Sequence, residues 1–84
     1  YPDPVPPMLA VEIISPTDKP KDIRSKRAIY QEAGILYWEV YPTEKLIDVY
    51  EPGKAPRALG MNDSLDGGTV IPGFTLALKE LFAE

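Results

Sequence analysis

Apolar and polar positions divide this chain into short blocks, and the blocks predict its elements. Met8-Leu9-Ala10-Val11-Glu12-Ile13-Ile14 is apolar at every position but one and ends at Ser15-Pro16. A run that is apolar on both sides of the pleat predicts a strand buried on both faces. A carboxylate inside it, Glu12, loses its water and needs a metal, a proton or a cationic partner. Thr17-Asp18-Lys19-Pro20 is a turn in which Thr17 or Asp18 is placed to cap a helix. The helix is predicted over Lys21–Ala33 and stopped by Gly34.

Ile35–Tyr41 is rich in aromatic and branched residues and reads as a second central strand. Pro42–Lys45 is a turn, and Leu46–Tyr50 alternates as a strand, so the two strands form a hairpin. Arg57–Met61 reads as a short edge strand and Asn62–Gly68 as a loop. Thr69–Phe74 is a short extended piece, and Leu76–Phe82 closes the chain with a helical turn or two. The first seven residues carry four prolines and form an extended arm or linker. Residues 8–84 form the folded unit.

Strand, helix, strand is the pattern of a parallel pair joined by a right-handed crossover. The expected fold is therefore α/β: a mixed sheet of strand–helix–strand–strand with a short C-terminal helix. It looks incomplete, because one substantial helix cannot cover both faces of an apolar strand.

At about 100° per residue, Ile23, Lys26, Ile29, Tyr30 and Ala33 share a stripe roughly 120° wide, with Lys26 near its middle. A lysine in a core-facing stripe either snorkels out or meets an anion, and Glu12 is the obvious anion. Arg27 lies at the stripe's edge, within reach of solvent or a phosphate. Lys19, Lys21, Arg24 and Arg27 cluster near the helix start, as phosphate contacts or as a solvated basic turn. Without more, Glu12–Lys26 reads equally as a site or as an ion pair tying helix to strand.

Composition narrows the chemistry. The chain has 84 residues and neither cysteine nor histidine. Disulfides, thiolate zinc sites, imidazole ligands and histidine-dependent triads are thus excluded. Any metal is a hard ion held by oxygen, magnesium or manganese. Ser15 has no base to activate it and reads as a turn residue. A net charge of −4 argues against a purely electrostatic nucleic-acid binder, though not against an enzyme touching DNA through a local basic patch. No apolar stretch reaches membrane-spanning length and no signal segment opens the chain, so a cytoplasmic location is expected.

The motifs also match a family. "LAVEIISP", then "KDIRSKRAIYQEAGILYWEVYP", then "VIPGFTLALKELF" resemble the Uma-type restriction-endonuclease-like family of the PD-(D/E)XK nuclease superfamily. The resemblance runs from Met8 to Phe82, with several motifs in order. It implies a restriction-endonuclease-like fold and a divalent-metal-dependent phosphodiesterase acting on DNA. Glu12 would be the metal ligand. Lys26 would be the catalytic cation, because Ile14 occupies the usual lysine position and the family moves that lysine to the following helix. Arg27 and Lys21 would be phosphate contacts.

This sequence departs from the family in three places. The family's first acid lies well upstream. Asp3 spells the same Pro-Asp dipeptide but stands only nine positions before Glu12, in a proline-rich arm. The chain thus reads as the C-terminal half of the domain, short of one metal ligand. Tyr41 stands where Asp is usual. Glu39 stands where an apolar residue is common, and reads as an extra ligand or a sheet-edge charge. Trp38, Tyr37 and Tyr30 read as core. The alternative to an enzyme is a non-catalytic scaffold for binding or assembly, and an incomplete sheet suggests a homo-oligomer, a dimer at its simplest.

Overall fold

Backbone hydrogen bonding sorts the described residues into two sheets and two helices. The computed structural model describes residues 9–68 and 71–83. The Pro-rich arm with Asp3, Met8, and Thr69-Val70 fall outside the described residues. Strand β1 is Leu9–Ile13, helix α1 Pro20–Glu32, and strands β2 to β4 are Leu36–Tyr41, Leu46–Tyr50 and Arg57–Leu59. Strands β5 (Ser64–Gly67) and β6 (Ile71–Ala77) follow, then helix α2 (Leu78–Leu81). The main sheet has the order β1-β2-β3-β4, and β5-β6 make a separate two-stranded sheet.

The crossover is as expected: β1 runs parallel to β2, with Glu12 beside Glu39 and Ile13 beside Val40. The hairpin is also present, β2 pairing antiparallel with β3 so that Glu39 faces Asp48. Strand β4 continues the sheet antiparallel to β3. Three of the four strands therefore carry an acid in one row: Glu12, Glu39 and Asp48.

The boundaries of α1 have local causes. Pro20 occupies the first helical position, where its missing N–H is harmless. Lys19 is then the N-cap, and it makes no side-chain cap bond. Asp18, one residue too early to cap, instead accepts the Ser15 backbone N–H at 2.7 Å and closes the turn between β1 and α1. At the other end Gly34 takes φ +71°, a conformation cheap only for glycine. Its N–H reaches the Gln31 carbonyl and that of Ile35 reaches the Tyr30 carbonyl, both at 3.1 Å. These two bonds form a Schellman motif that turns the chain into β2.

Alternation within β2 decides the layers. Leu36, Trp38 and Val40 point to one side and pack with Ile47, Val49, Leu65 and Leu78 in the core. Tyr37, Glu39 and Tyr41 point to the other side, where α1 lies. The core side is covered by β5, β6 and α2, with Phe74 stacked 6.2 Å from Trp38. The Leu78 N–H donates to the Asp63 carbonyl at 3.1 Å and docks α2 beside the start of β5.

Three expectations are corrected. Residues 64–67 are strand rather than loop, because burying Leu65 to 2% exposure draws them into pairing with β6. That pairing extends β6 to Ala77 and shortens the last helix to Leu78–Leu81. Gly67 is required here, since a β-carbon would collide with the Ile71 carbonyl across the pair. Strand β1 is not buried on both faces: Val11 is 46% and Ile13 62% exposed. Among the described residues β1 is an edge strand, and Val11 and Ile13 line an open apolar hollow shared with Leu65, Phe74 and Leu76.

Candidate catalytic cleft

Two ion pairs run side by side from α1 to the sheet, and they differ in depth. Lys26 Nζ lies 3.6 Å from Glu12 Oε2, with the lysine side chain 59% exposed and the glutamate 27%. One residue along, Arg27 meets Glu39 in a two-pronged bond: Nε donates to Oε2 at 2.8 Å and an Nη donates to Oε1 at 2.9 Å. The Tyr41 hydroxyl adds a third bond to Oε1 at 2.7 Å. Glu39 is fully buried.

The sequence reading therefore found the right pair for Glu12 and the wrong depth for Lys26. No residue of α1 is fully buried, and Ile29, expected in the stripe, is 64% exposed. Ile23 and Tyr30 of the expected stripe are half-buried, and Arg27 is the third half-buried position in place of Lys26 and Ile29. The physical reason is Glu39. A carboxylate inside a central strand demands a cation with several donors, and only a fork such as guanidinium satisfies both oxygens. The helix is turned to deliver Arg27, which moves Lys26 to the rim.

Glu39 is accordingly not a sheet-edge charge. It sits on a strand flanked by β1 and β3, and its oxygens are occupied by Arg27 and Tyr41. Arg27, expected to be open to solvent or phosphate, is turned inward, and its guanidinium carbon stands 4.8 Å above the Tyr50 ring. Lys21 is exposed near the start of α1. Its carbonyl accepts the Ser25 hydroxyl at 3.0 Å.

Electrostatics follow this arrangement. Hydrogen bonding to Glu39 holds the Arg27 guanidinium above its ordinary pKa, outweighing the opposing effect of burial. Burial first, then the hydrogen bond to the Glu39 carboxylate, raises the Tyr41 phenol. Burial and the Glu39 charge likewise raise Tyr50. Burial, with the same negative charge behind it, raises the Asp48 carboxyl above the usual range.

Tyr37 is stacked against Tyr30 at 4.9 Å and Tyr50 at 5.9 Å, as a core ring would be. Its hydroxyl is buried against Glu39, with no hydrogen bond of good geometry among the described residues. That phenol too is raised, by burial first and then by Glu39 and more weakly by Glu12.

Between the end of β1 and the first turns of α1 lies a cleft lined by Glu12, Ile14, Asp18, Asp22, Ile23, Lys26 and Tyr37. Two of the four residues singled out in the sequence, Glu12 and Lys26, meet here; Arg27 and Lys21 do not line it. Among the described residues no three acidic, histidine or cysteine side chains converge to hold a metal. No helix among them is long and apolar enough to cross a membrane.

Comparison with known proteins decides the family. A family model described as "Uma2: Putative restriction endonuclease" matches residues 1–79. The chain belongs to the Uma2 family. A solved structure from Anabaena variabilis, described as "a putative nuclease belonging to DUF820", superposes with a TM-score of 0.79 at 20% identity. That match covers 90% of this chain and 44% of the other, so the chain spans less than half the length of that protein. No curated protein matches the sequence. At this identity the structural likeness establishes the shared fold.

Proposed function

We propose that this Uma2 chain carries part of the active site of a divalent-metal-dependent DNA endonuclease. Glu12 is the metal ligand and Lys26 the positive catalytic group. The observation that carries the reading is the Glu12–Lys26 pair itself. An acid on the strand and a lysine on the following helix face one another at 3.6 Å in an open cleft, in a chain whose family is described as "Putative restriction endonuclease".

The chemistry is that of a hard cation and a phosphodiester. Glu12 fits as one oxygen ligand for magnesium or manganese. The described residues do not complete a ligand set. The remaining ligands would be water, substrate and an upstream acid in the other half of the domain. Such an ion, when bound, polarises the scissile phosphate and lowers the pKa of water. Lys26, half in solvent, orients the attacking water or steadies charge on the phosphoryl oxygens. Lys21 stands near enough to the helix start to contact the backbone of a bound strand.

A second reading is a scaffold without catalysis, in which Glu12 and Lys26 are simply partners. It is favoured by the incomplete ligand set. Nicking of supercoiled plasmid by the full-length protein, in magnesium, manganese or chelator, separates the two. The nuclease reading expects nicking with either metal and none with chelator. Well-folded protein that nicks under no condition supports the scaffold.

A further inference from the structure

Helix α1 carries Lys26 into the cleft, yet little apolar packing holds the helix in place. None of its residues is fully buried, and it meets the sheet mainly on β2. Two side chains make that attachment. Tyr30 stacks on Tyr37 at 4.9 Å, and Arg27 bonds to Glu39 through Nε and Nη2 at 2.8 and 2.9 Å. Stacked rings fix a separation but let the partners slide. A two-pronged bond between guanidinium and carboxylate also fixes an angle.

Glu39 is a firm anchor for that angle. It is fully buried on a central strand, and the Tyr41 hydroxyl donates to its Oε1 at 2.7 Å. The Tyr50 ring, 4.8 Å from the guanidinium carbon, braces Arg27 in turn.

Both attachments of α1 are to β2, whereas the partner of Lys26 lies one strand over, on β1. Glu12 and Glu39 are register neighbours across those two strands, and Lys26 and Arg27 are neighbours on the helix. Rolling α1 over β2 therefore swings Lys26 toward or away from Glu12. A helix with its side chains is about 10–12 Å across, so a roll of about 20° moves a side-chain head by roughly 2 Å. An exposed ion pair at 3.6 Å is too weak to resist that roll by itself.

We propose that Arg27 and Glu39 are positioning residues: their buried forked bond sets the roll of α1 and so holds Lys26 Nζ at Glu12 in the cleft. Neither touches the substrate; both act through Lys26. The positioning is a property of the fold, and its consequence for catalysis rests on the nuclease reading. It gives a role to a buried ion pair that net stability alone does not explain, since an apolar pair of similar size would serve the fold as well.

The experiment uses the full-length protein as wild type, Arg27→Met/Glu39→Leu, Arg27→Lys and, as a control on the opposite face of the sheet, Val49→Ala. Each is treated with a carbodiimide, which joins a carboxylate to an amine only where the two are in contact, and the Glu12–Lys26 amide is counted by peptide mass spectrometry. The kcat and KM of manganese-dependent plasmid nicking and the melting temperature are measured alongside.

The double variant should melt near the wild-type temperature. It should form the Glu12–Lys26 amide about tenfold less and nick with a kcat about 100-fold lower at similar KM, as for a catalytic group displaced by about 1 Å. Arg27→Lys keeps the charge and loses the fork, so it should show the same two losses, and it decides the matter if the double variant does not fold. Val49→Ala should melt lower but cross-link and nick like wild type below its melting temperature.

A stable double variant that cross-links and nicks like wild type overturns the proposal and leaves the pair a role in the fold alone. In a protein that nicks, losing either cross-linking or nicking while the other stays intact overturns it too. So does losing both in Val49→Ala, which would trace them to stability, or finding no Glu12–Lys26 amide in wild type. If wild type never nicks, cross-linking that is lost in the double variant supports the positioning and removes the nuclease reading.

Discussion

The two faces of the β1–β4 sheet are made by alternate residues of the same strands, yet they have opposite chemistry. On one face Leu36, Trp38, Val40, Ile47 and Val49 pack against Leu65 and Leu78 without a charge among them. On the other, Glu12, Tyr37, Glu39, Tyr41, Asp48 and Tyr50 meet a helix that answers with Lys26 and Arg27. The apolar face needs only shape and volume. The polar face needs each carboxylate to find a donor, and that demand sets the rotation of α1. Stability is concentrated on the first face, and candidate chemistry on the second.

Substitutions can break this division, beginning where the effect should be largest. Trp38→Ala on the apolar face should lower unfolding free energy by about 3–5 kcal/mol, read as a shift in denaturant midpoint. Arg27→Ala on the polar face should cost about 3 kcal/mol, because it leaves a fully buried Glu39 without its cation. The double variant Arg27→Met, Glu39→Leu should recover most of that loss, since an apolar pair of similar size avoids the desolvation. If the double variant stays as unstable as Arg27→Ala, the buried pair contributes more than mutual compensation.

A smaller effect is expected from pH. The Tyr41 phenol has its pKa raised in the fold from an ordinary value of 10.0. The unfolded chain therefore ionises first as pH rises. The contribution of Tyr41 is fully present below about pH 10 and falls away above it, until the folded phenol ionises too. Tyr41→Phe should flatten the alkaline limb of a stability–pH curve and leave its slope near pH 7 unchanged. An identical alkaline limb in the variant would place the burden on other phenols.

Smallest of all should be the change in stability on substituting the rim pair. Glu12→Gln and Lys26→Ala should each shift unfolding free energy by no more than about 0.5 kcal/mol, because an exposed pair at 3.6 Å contributes little. This is the sharpest contrast in the molecule. Lys26 and Arg27 are neighbours on one helix, and only one of them should matter to the fold.

Much of this was legible in the sequence. The parallel β1–β2 pair, the β2–β3 hairpin, the Gly34 stop and the Glu12–Lys26 partnership all follow from local pattern. They depend on residues close in sequence or on a single crossover. Depth was harder to read. Val11 and Ile13 are apolar, but their exposure depends on what lies over the edge of the sheet, and strand pattern does not encode that. The β5-β6 pair was obscured by Asp66-Gly67-Gly68, which reads as a turn while Leu65 anchors the segment in the core.

The residue whose role is misread from sequence is Glu39, which reads there as an extra ligand or a sheet-edge charge. A lone acid in the middle of Ile-Leu-Tyr-Trp-Glu-Val-Tyr carries the same signal that singled out Glu12. The Ile23, Arg27 and Tyr30 spacing offered its partner. What sequence could not supply was the choice between two adjacent cations for two adjacent acids. Forked geometry settles that choice: the guanidinium goes to the buried carboxylate and the ammonium to the rim.

The most direct test of the account is Lys26→Ala in the full-length protein, with metal-dependent plasmid nicking and thermal melting measured on the same preparation. The account predicts that nicking disappears while the melting temperature moves by no more than about 4 °C, the equivalent of half a kcal/mol in a domain of this size. Nicking at the wild-type rate would remove Lys26 from the catalytic site. Loss of nicking together with a collapse in melting temperature would contradict the division of the sheet into a stabilising face and a working one.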